Sequence, residues 1–470
     1  MYFNLFRFMN LLFINPYLTN EFTPVSNEII KKINYNKTDH TKIISKINGF
    51  YGQIGPNPQF YNNNNKNYHL FDGDGMIHGV FFKDGNITYV NHWIRTDKYN
   101  YEKKTKRELP LKMGSLNNPY MLLLSVFYKL FESIGLLPNF MGTANTALWQ
   151  NNNHTYALHE RDVPYEIDIN FNDTSISTIK KLDLLDVKHF TAHPHSDDKN
   201  IYAISYDNIL PITKILKYDK NMNLIKEKII ITKYKSIVHD FVLTNSSIIF
   251  CDMPFTFNLT RILDGKMPFY FDKSKNVRFS IISKDMKNIS WIEMESNFFI
   301  FHFDNAREDD DYIYFNGIIY DDFEMDVLTV NRNNYMKNHP KYMRFIIDKK
   351  NNSISMIKNK DFEDLNLEFP NELNNTTVLS LYNDQLNTIG FIISENYELK
   401  KTVYLKNRKI FAEPSIIEVD KNKYVICFVY DTSFNSYLNI YDVNLNKNIE
   451  IKLDDIKINK GFHSIFIKNN

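Results

Sequence analysis

The feature that most constrains the fold is a repeated pattern of short strand-like segments that runs from about residue 50 to the end of the chain. Each segment is rich in Ile, Val, Tyr and Phe and is followed by Asn, Asp or Gly, which is typical of strands joined by tight turns. Clear examples are ITYVNHWIRT (87–96), IYAISYD (201–207), SIIFCDM (247–253), YIYFNGIIY (312–320), KYVICFVYD (423–431) and YLNIYDVN (437–444). The sequence therefore predicts an all-β protein.

The number of these segments favours a β-propeller over a β-sandwich. A sandwich domain is complete after about 100 residues, whereas this pattern continues through most of a 470-residue chain. At about four strands per blade, the length fits roughly seven blades. No sequence repeat marks the individual blades, so the residues alone leave the blade count open.

One segment, NPYMLLLSVFYKLFESIGLLPNF (118–140), interrupts the strand pattern. Its apolar residues recur at helical spacing, with Pro119 near the start and Gly135 and Pro138 near the end. The sequence predicts a helix inserted between strands. It fits either a helix buried in the core or one that lies in a membrane interface, and the residues alone favour the core.

Composition narrows the functional classes. The net charge of +1 gives no support to a nucleic-acid partner. Cys251 and Cys427 are too few for a disulfide framework or a cysteine-based metal site, and they fit a reducing, intracellular (cytoplasmic) location. Metal ligands would therefore come from the thirteen histidines and the carboxylates, a set that suits iron, manganese or zinc.

The N-terminus is apolar but has neither a basic start nor a small-residue cleavage site, and Arg7 lies in its middle. We interpret residues 1–14 as an N-terminal packing arm and residues 15–470 as a single domain. No window of eighteen uncharged apolar residues occurs, so the sequence predicts no membrane-spanning helix.

The segment YHLFDGDGMIHG (68–79) contains two histidines and two aspartates and resembles a metal site. A calcium loop needs a third oxygen ligand at the next alternate position, which is Met76, and the spacing of His69 and His78 fits no short zinc motif. We expect instead a hairpin between FYGQIGPNPQF and GMIHGVFF. In it, Asp72 and Asp74 would accept backbone N–H groups in a turn with Gly73 and Gly75.

Four other histidines occur in matching positions, each beside an apolar strand-like segment: His193, His239, His302 and His463. Their separations correspond roughly to one blade or several. The innermost strands of propeller blades converge on one axis, so one inward-pointing histidine per blade could meet the others there. Four neutral imidazoles can ligate Fe(II), although any one of these residues could also be an ordinary half-buried histidine.

A metal-bound imidazole usually donates its other N–H to a carboxylate, so buried glutamates are expected nearby. Glu160 (in YALHERDVPY), Glu368 (in LEFPNE) and Glu413 (in FAEPSII) lie in segments with few other charges. Each taken alone could equally be a surface acid.

The chain resembles the carotenoid cleavage oxygenases, which include carotenoid and apocarotenoid dioxygenases, stilbene-cleaving enzymes and the retinal pigment epithelial isomerase. The resemblance extends from NPYLTNEFTPV (15–25) to GFHSIFI (461–467). Its motifs include GFYGQIGPNPQF (49–60), YHLFDGDGMIHGVFF (68–82), ANTALWQ (144–150), ALHERDVPYEID (157–168), FTAHPHSD (190–197), HDFVLT (239–244), FHFDNARED (301–309), LEFP (367–370) and AEPSII (412–417).

The resemblance implies a seven-bladed propeller capped by a dome of helices and loops, with dome insertions at about 98–145 and 321–345. It implies one Fe(II) per chain, held by the four histidines above, with the three glutamates behind them and O₂ as co-substrate. Thr146 would crowd one open position on the iron. The implied reaction is scission of a conjugated C=C bond in a carotenoid or apocarotenoid into two carbonyl products.

The family context also changes the interpretation of helix 118–140. The resemblance implies an apolar tunnel under the dome, with this helix dipping into a membrane at the tunnel mouth. An apolar polyene or aryl-alkene substrate would be drawn from that membrane. The residues expected in this peripheral contact are Leu122, Leu123, Leu124, Phe127 and Phe131. The resemblance leaves the oligomeric state open.

Two alternatives to carotenoid cleavage stay open. Stilbenoid or lignostilbene cleavage is less favoured because His159 stands where stilbene-cleaving members tend to carry lysine. A propeller that binds an apolar ligand without catalysis is disfavoured because the histidines and glutamates are all present. Isomerase activity is not expected, since neither cysteine matches the membrane-patch cysteine of the vertebrate isomerase.

Overall fold

The computed structural model describes residues 24–35, 41–61, 68–116, 118–184, 187–207, 209–323, 339–385 and 387–469. The predicted N-terminal arm, residues 1–14, lies outside these ranges. Within them, seven four- or five-stranded antiparallel sheets form a β-propeller, so the predicted fold class is confirmed.

The strands follow one another blade by blade along the chain. Blade 1 contains β1 (Ile30–Ile33), β2 (Gly49–Pro56), β3 (Gly75–Lys83) and β4 (Asn86–Trp93); blade 2 contains β5 (Ala147–Asn151), β6 (His154–Leu158), β7 (Tyr165–Asn170) and β8 (Ser175–Lys181); blade 3 contains β9 (His195–Ser196), β10 (Asn200–Tyr206), β11 (Ile212–Asp219) and β12 (Leu224–Ile231).

The middle blades continue the pattern. Blade 4 contains β13 (Val242–Leu243), β14 (Ser247–Asp252), β17 (Arg278–Ser283) and β18 (Ile289–Glu293), and the separate ribbon of β15 (Phe255–Phe257) and β16 (Phe269–Phe271) is inserted within it. Blade 5 contains β19 (Phe299–Glu308), β20 (Tyr312–Tyr320), β21 (Lys341–Asp348) and β22 (Ser353–Lys358).

The last two blades lead to the closing strand. Blade 6 contains β23 (Asn366–Leu373), β24 (Thr376–Tyr382), β25 (Thr388–Glu395) and β26 (Glu398–Tyr404); blade 7 contains β27 (Lys409–Ile410), β28 (Ser415–Val419), β29 (Asn422–Tyr430), β30 (Ser436–Asp442) and β31 (Lys447–Lys452); β32 is Ser464–Lys468. Strand β32 pairs antiparallel with β2 in blade 1. The ring is thereby closed by strands from the two ends of the described chain.

Tight turns and aromatic packing explain why these segments form blades. Asp84 and Gly85, both at positive φ, make the two-residue turn between β3 and β4. Between blades, the ring of Phe279 packs 5.8 Å from that of Phe315 and 5.5 Å from that of Phe345. Such pairs bury large apolar surfaces that no single sheet could bury alone.

The connections between strands build a dome over one end of the propeller. The segment between β4 and β5 carries α2 (Asp97–Thr105) and α3 (Pro119–Ser133), and a short helix α1 (Thr41–Ile44) precedes β2. Short 3₁₀ helices lie at Leu70–Asp72, Met113–Ser115, Leu259–Asp264 and Lys360–Phe362. The second predicted insertion, 321–345, lies partly outside the described residues, and its C-terminal end belongs to β21.

Helix α3 begins where the sequence predicts and ends earlier. The Asn118 side chain accepts the N–H of Tyr120 and caps the helix, and Pro119 follows as its first residue. The helix ends at Ser133 rather than near residue 140 because Gly135 adopts a positive φ of 74° and turns the chain. Among the described residues, no helix is long and apolar enough to cross a membrane.

Candidate metal centre

The innermost strands of neighbouring blades contact one another around the propeller axis. His302 lies within β19, whereas His193, His239 and His463 lie a few residues before β9, β13 and β32. A histidine near the start of the innermost strand is thus used in four blades, and these positions bring together histidines that are far apart in the sequence.

The four imidazoles form one cluster. One nitrogen from each ring lies within 4.8 Å of the corresponding nitrogens of the others. The Nε2 atom of His239 is 3.0 Å from that of His193 and 3.2 Å from that of His302. The ring of His463 lies 4.5 Å from that of His193, measured between centroids.

Three of the histidines contact the three predicted glutamates through Nδ1. The Nδ1 atom of His239 contacts Glu160, and that of His302 lies 2.6 Å from Glu368 Oε2. His463 Nδ1 is 3.3 Å from Glu413 Oε2. A carboxylate at Nδ1 fixes the ring and leaves the Nε2 lone pair free to bind a cation.

The fourth histidine is held differently. Among the described residues, no carboxylate hydrogen bonds to the ring of His193. Its backbone N–H donates to the hydroxyl of Thr191.

The electrostatics favour neutral imidazoles at His193 and His463 and ionised carboxylates at Glu160 and Glu368. Burial and the three neighbouring histidines hold the pKa of His193 well below its ordinary value, and burial lowers the pKa of His463. Burial alone would lower the pKa of His302, but the Glu368 carboxylate raises it above its ordinary value. Burial alone would raise the pKa of Glu368, but the adjacent His302 imidazole holds it below the ordinary value. A neutral imidazole has the lone pair that metal binding requires.

Two tyrosines that the sequence analysis missed complete the glutamate contacts. Tyr206 donates its hydroxyl to Glu160 Oε2 at 2.7 Å, and Tyr320 donates to Glu368 Oε1 at 2.7 Å. Each is the last residue of the second strand of its blade, β10 or β20. A tyrosine also ends β24 (Tyr382) and β29 (Tyr430), so this recurrence was a signal that the sequence offered.

A strained backbone position places one of these glutamates. Phe369, directly after Glu368, has a φ of +54°, which is unusual for a residue other than glycine. In this conformation its N–H donates to Glu368 Oε2, and its ring packs 5.3 Å from that of His302 and 5.0 Å from that of His463. The strain therefore orients both a carboxylate and an aromatic wall.

An apolar cavity of about 220 Å³, which we call the upper cavity, lies on the dome side of the cluster. Its lining includes three of the histidines and many apolar side chains, among them Leu70, Phe71, Met113, Met141, Phe269, Phe301, Phe323, Phe369, Phe411 and Phe462. Thr146 and His159 also line it. The cluster is thus accessible from a space suited to an apolar ligand.

The segment YHLFDGDGMIHG (68–79), which we call the DGDG segment, has a structural role apart from this cluster. Asp72 accepts the N–H groups of Met113 and Gly114, and Asp74 accepts the N–H of Gln59 and pairs with Lys98 at 2.8 Å. Both carboxylates bind backbone N–H groups, and they connect the propeller to the dome.

The two histidines of this segment also have local partners. His78 is buried between the Tyr89 hydroxyl and Asn459 Oδ1, each 2.6 Å away, and His69 Nδ1 accepts the N–H of Phe71.

The predicted membrane residues all belong to α3 but differ in exposure. Leu123, Phe127 and Phe131 are exposed, at 57%, 53% and 43%. Leu124 is half-buried and packs in the cluster formed by Leu109, Leu111, Tyr128 and Phe140. The side chain of Leu122 is outside the described set.

Fold and site together define a class of protein: a β-propeller with four axial histidines beneath an apolar cavity. The model of the family described as "retinal pigment epithelial membrane protein" matches residues 37–468. The chain therefore belongs to that family, which contains the carotenoid cleavage oxygenases, and the resemblance noted from its motifs is confirmed.

Curated relatives extend this finding. Carotenoid 9,10(9',10')-cleavage dioxygenase 1 of Pisum sativum is 33% identical over 309 residues, covering 63% of this chain and 56% of the relative. The corresponding dioxygenase of Crocus sativus is 32% identical over 306 residues, covering 63% and 55%. The alignments thus span a little over half the length of these relatives.

Solved structures support the fold. A single-residue mutant of the apocarotenoid oxygenase of Synechocystis has a TM-score of 0.78 at 18% identity, covering 97% of this chain and 99% of its own. Lignostilbene dioxygenase of Pseudomonas brassicacearum has a TM-score of 0.76 at 17% identity, with the same coverage. At these identities the likeness concerns the fold alone.

Proposed function

We propose that the protein is a non-haem Fe(II) dioxygenase that cleaves a conjugated C=C bond of a carotenoid or apocarotenoid. The observation that carries the proposal is the convergence of four imidazoles at the base of an apolar cavity. The relatives named as carotenoid cleavage dioxygenases support the reaction class.

The donor set fits iron. Four imidazole nitrogens suit a divalent transition metal. His193, His239, His302 and His463 would hold one Fe(II) per chain, which would supply the activation of O₂. The glutamates keep three of the rings oriented, so the site is organised before the metal binds.

The remaining residues would position the alkene. Phe301 and Phe369 pack against the imidazoles, at 5.4 Å from His239 and 5.3 Å from His302 between ring centroids. A polyene that lies along this apolar surface is held in one orientation and shielded from water. Both oxygen atoms of O₂ enter the products, one in each carbonyl group, so the reaction needs no external reductant.

The test is to supply the purified protein with Fe(II) and incubate it under ¹⁸O₂ with β-carotene, an apocarotenal and resveratrol. The proposal expects aldehyde products from a carotenoid or apocarotenoid, each with one ¹⁸O atom when analysed before exchange with water. Cleavage of resveratrol alone would favour the stilbenoid alternative. No product from any substrate by an iron-loaded protein would favour a binding protein without catalysis.

Thr146 has a separate expected role. It lines the upper cavity, and its hydroxyl lies 3.3 Å from Asn145 Oδ1. We propose that its side chain crowds one open position on the iron. Thr146→Ala should then retain iron but lower the fraction of O₂ consumption that yields cleavage product, whereas Thr146→Val should retain the wild-type fraction.

We also propose that α3 attaches the protein peripherally to membranes. Its exposed apolar surface is extended by Leu259 and Leu263 of the adjacent 3₁₀ helix, which are 44% and 71% exposed. An apolar substrate in the lipid would enter from this side.

Liposome co-sedimentation tests the attachment. A variant with Leu123, Phe127 and Phe131 changed to serine should lose binding, whereas a control with Ile357 and Tyr404, exposed on outer strands, changed to serine should bind as wild type does. Equal sedimentation of all three proteins would contradict the proposal.

A further inference from the structure

A second cavity, which we call the lower cavity, meets the histidine cluster on the side away from the dome. Its volume is about 470 Å³. His302 and His463 line both cavities, whereas His239 lines the upper one and His193 the lower one. The four imidazoles therefore form a partition between two spaces.

The lower cavity is polar where the upper cavity is aromatic. Its lining includes Glu372, Asp304, Asn305 and the pair of His195 and Asp240, whose Nε2 and Oδ1 atoms are 3.0 Å apart. A polar space of this size can hold water and hydrated ions.

The lower cavity opens to solvent at its far end. Along β19, the cavity-lining residues His302 and Asp304 are buried, at 6% and 8% exposure, whereas Ala306 is exposed. Glu372 on the neighbouring strand β23 is also reached by solvent. A continuous polar passage thus leads from the surface at Ala306 and Glu372 to the cluster.

We propose that this passage is the route by which aqueous Fe(II) reaches the four histidines, with Glu372 drawing the cation into its mouth. The inference rests on the proposed iron site. A hydrated divalent cation pays a large desolvation cost among the phenylalanines of the upper cavity and little in a passage lined by carboxylates and amides. A carboxylate at a narrow mouth also raises the local cation concentration and the rate of entry.

The histidine that faces the passage is suited to receive the ion. His239, His302 and His463 are each held by a glutamate, whereas no carboxylate of a described residue holds His193. Its ring is the least restrained of the four by hydrogen bonds. We assign it the role of the first ligand to meet the incoming metal.

One cation lies near the mouth and opposes entry. Arg307 follows the exposed Ala306, and its Nε donates to Asn305 Oδ1 at 2.9 Å. Its positive charge acts on Glu372. Removing the Glu372 charge and removing the Arg307 charge should therefore change the rate of metal uptake in opposite directions.

The experiment measures Co²⁺ uptake by the metal-free full-length protein, followed by the visible absorption of the bound ion. A cobalt-substituted structure of the Synechocystis apocarotenoid oxygenase, with a TM-score of 0.77 to this chain, makes Co²⁺ a reasonable probe. Burial and the nearby Asp304 raise the pKa of Glu372 to about 7, so the measurement is made at pH 8, where the carboxylate is ionised.

The variants are Glu372→Gln, Ala306→Trp, which narrows the mouth, and Arg307→Gln. Glu363→Gln is the control, because Glu363 is an exposed acid that pairs with Lys358 and lines neither cavity. Relative to wild type, we expect uptake about tenfold slower in Glu372→Gln and in Ala306→Trp, and faster in Arg307→Gln. The control should load at the wild-type rate, and all proteins should reach the same final Co²⁺ content.

Two results would overturn the route while leaving the iron site intact. One is a wild-type rate in both Glu372→Gln and Ala306→Trp. The other is a lowered final Co²⁺ content in Glu372→Gln, which would make Glu372 a determinant of affinity instead of entry. A wild-type protein that binds no Co²⁺ would overturn both the route and the proposed iron site.

Discussion

The DGDG segment and the histidine cluster are both buried and polar, but their polar atoms are satisfied in different ways. At Asp72 and Asp74, each carboxylate meets backbone N–H groups or the ammonium group of Lys98. In the histidine cluster, four imidazole nitrogens converge within 4.8 Å, an arrangement of lone pairs that suits a cation. The comparison shows that a segment rich in polar residues is as readily a structural element as a functional site.

The largest expected difference between the two regions is in metal binding. His302→Ala should bring iron content from about one ion per chain to near zero and abolish cleavage, because three imidazoles leave the ion under-coordinated. His78→Asn, in a histidine of the DGDG region, should retain iron in the folded protein. Elemental analysis of both variants, with circular dichroism to verify folding, checks the prediction, and wild-type iron content in His302→Ala would contradict it.

The next effect concerns the contribution of the DGDG segment to the stability of the fold. Asp74→Ala should lower the free energy of unfolding by about 1–3 kcal/mol, because it removes one of the two carboxylate partners of buried Lys98 and the acceptor of the Gln59 N–H, while Glu102 stays 3.1 Å from Lys98. Denaturant unfolding measures the loss, and the folded fraction should bind iron normally. Changing Lys98 to Met in the same protein should lower the stability further, because buried Glu102 then loses the ammonium group 3.1 Å away; a recovery of stability would show that these ion pairs are not the cause.

A third effect is the pH dependence of stability that arises from His78 in the DGDG segment. Burial lowers the pKa of His78 from 6.5 to about 4, so the unfolded state binds a proton more readily between these values. Stability should therefore be full above about pH 6.5 and decline as the pH falls to 4, with His78 contributing about 3 kcal/mol of that loss. His78→Asn should flatten this part of the stability profile, and an unchanged profile would contradict the assignment.

The smallest effect concerns the residues behind the metal ligands. Glu368→Gln should weaken iron binding by about 10- to 100-fold, because the amide orients His302 less well than a carboxylate does. Tyr320→Phe, which removes one hydrogen bond to the same carboxylate, should weaken it less. Competition with a chelator gives both affinities, and the reverse order would refute the proposed arrangement.

Much of the fold followed from the sequence because alternating apolar segments and turn residues report on strands directly. The segments at 201–207 and 312–320, for example, became β10 and β20. The dome was harder to predict, since the end of α3 depends on the backbone conformation of Gly135 and the half-burial of Leu124 depends on distant partners. Neither is visible in local periodicity.

The candidate site was predictable only in part. The histidines and glutamates stand out because imidazoles and isolated acids beside apolar strands are chemically conspicuous. The two tyrosines and the polar lower cavity were missed, because Tyr206 and Tyr320 look like ordinary strand residues and a cavity arises only when several blades converge. A comparison of equivalent strand ends across blades would have revealed the tyrosines.

The most direct test of the central claim is X-ray absorption at the iron K-edge of the protein loaded anaerobically with Fe(II). We expect one ion per chain with a multiple-scattering pattern of four imidazoles, and a pattern of three or fewer in His302→Ala if any iron remains. Absence of bound iron, or a first coordination sphere dominated by carboxylate oxygens, would contradict it.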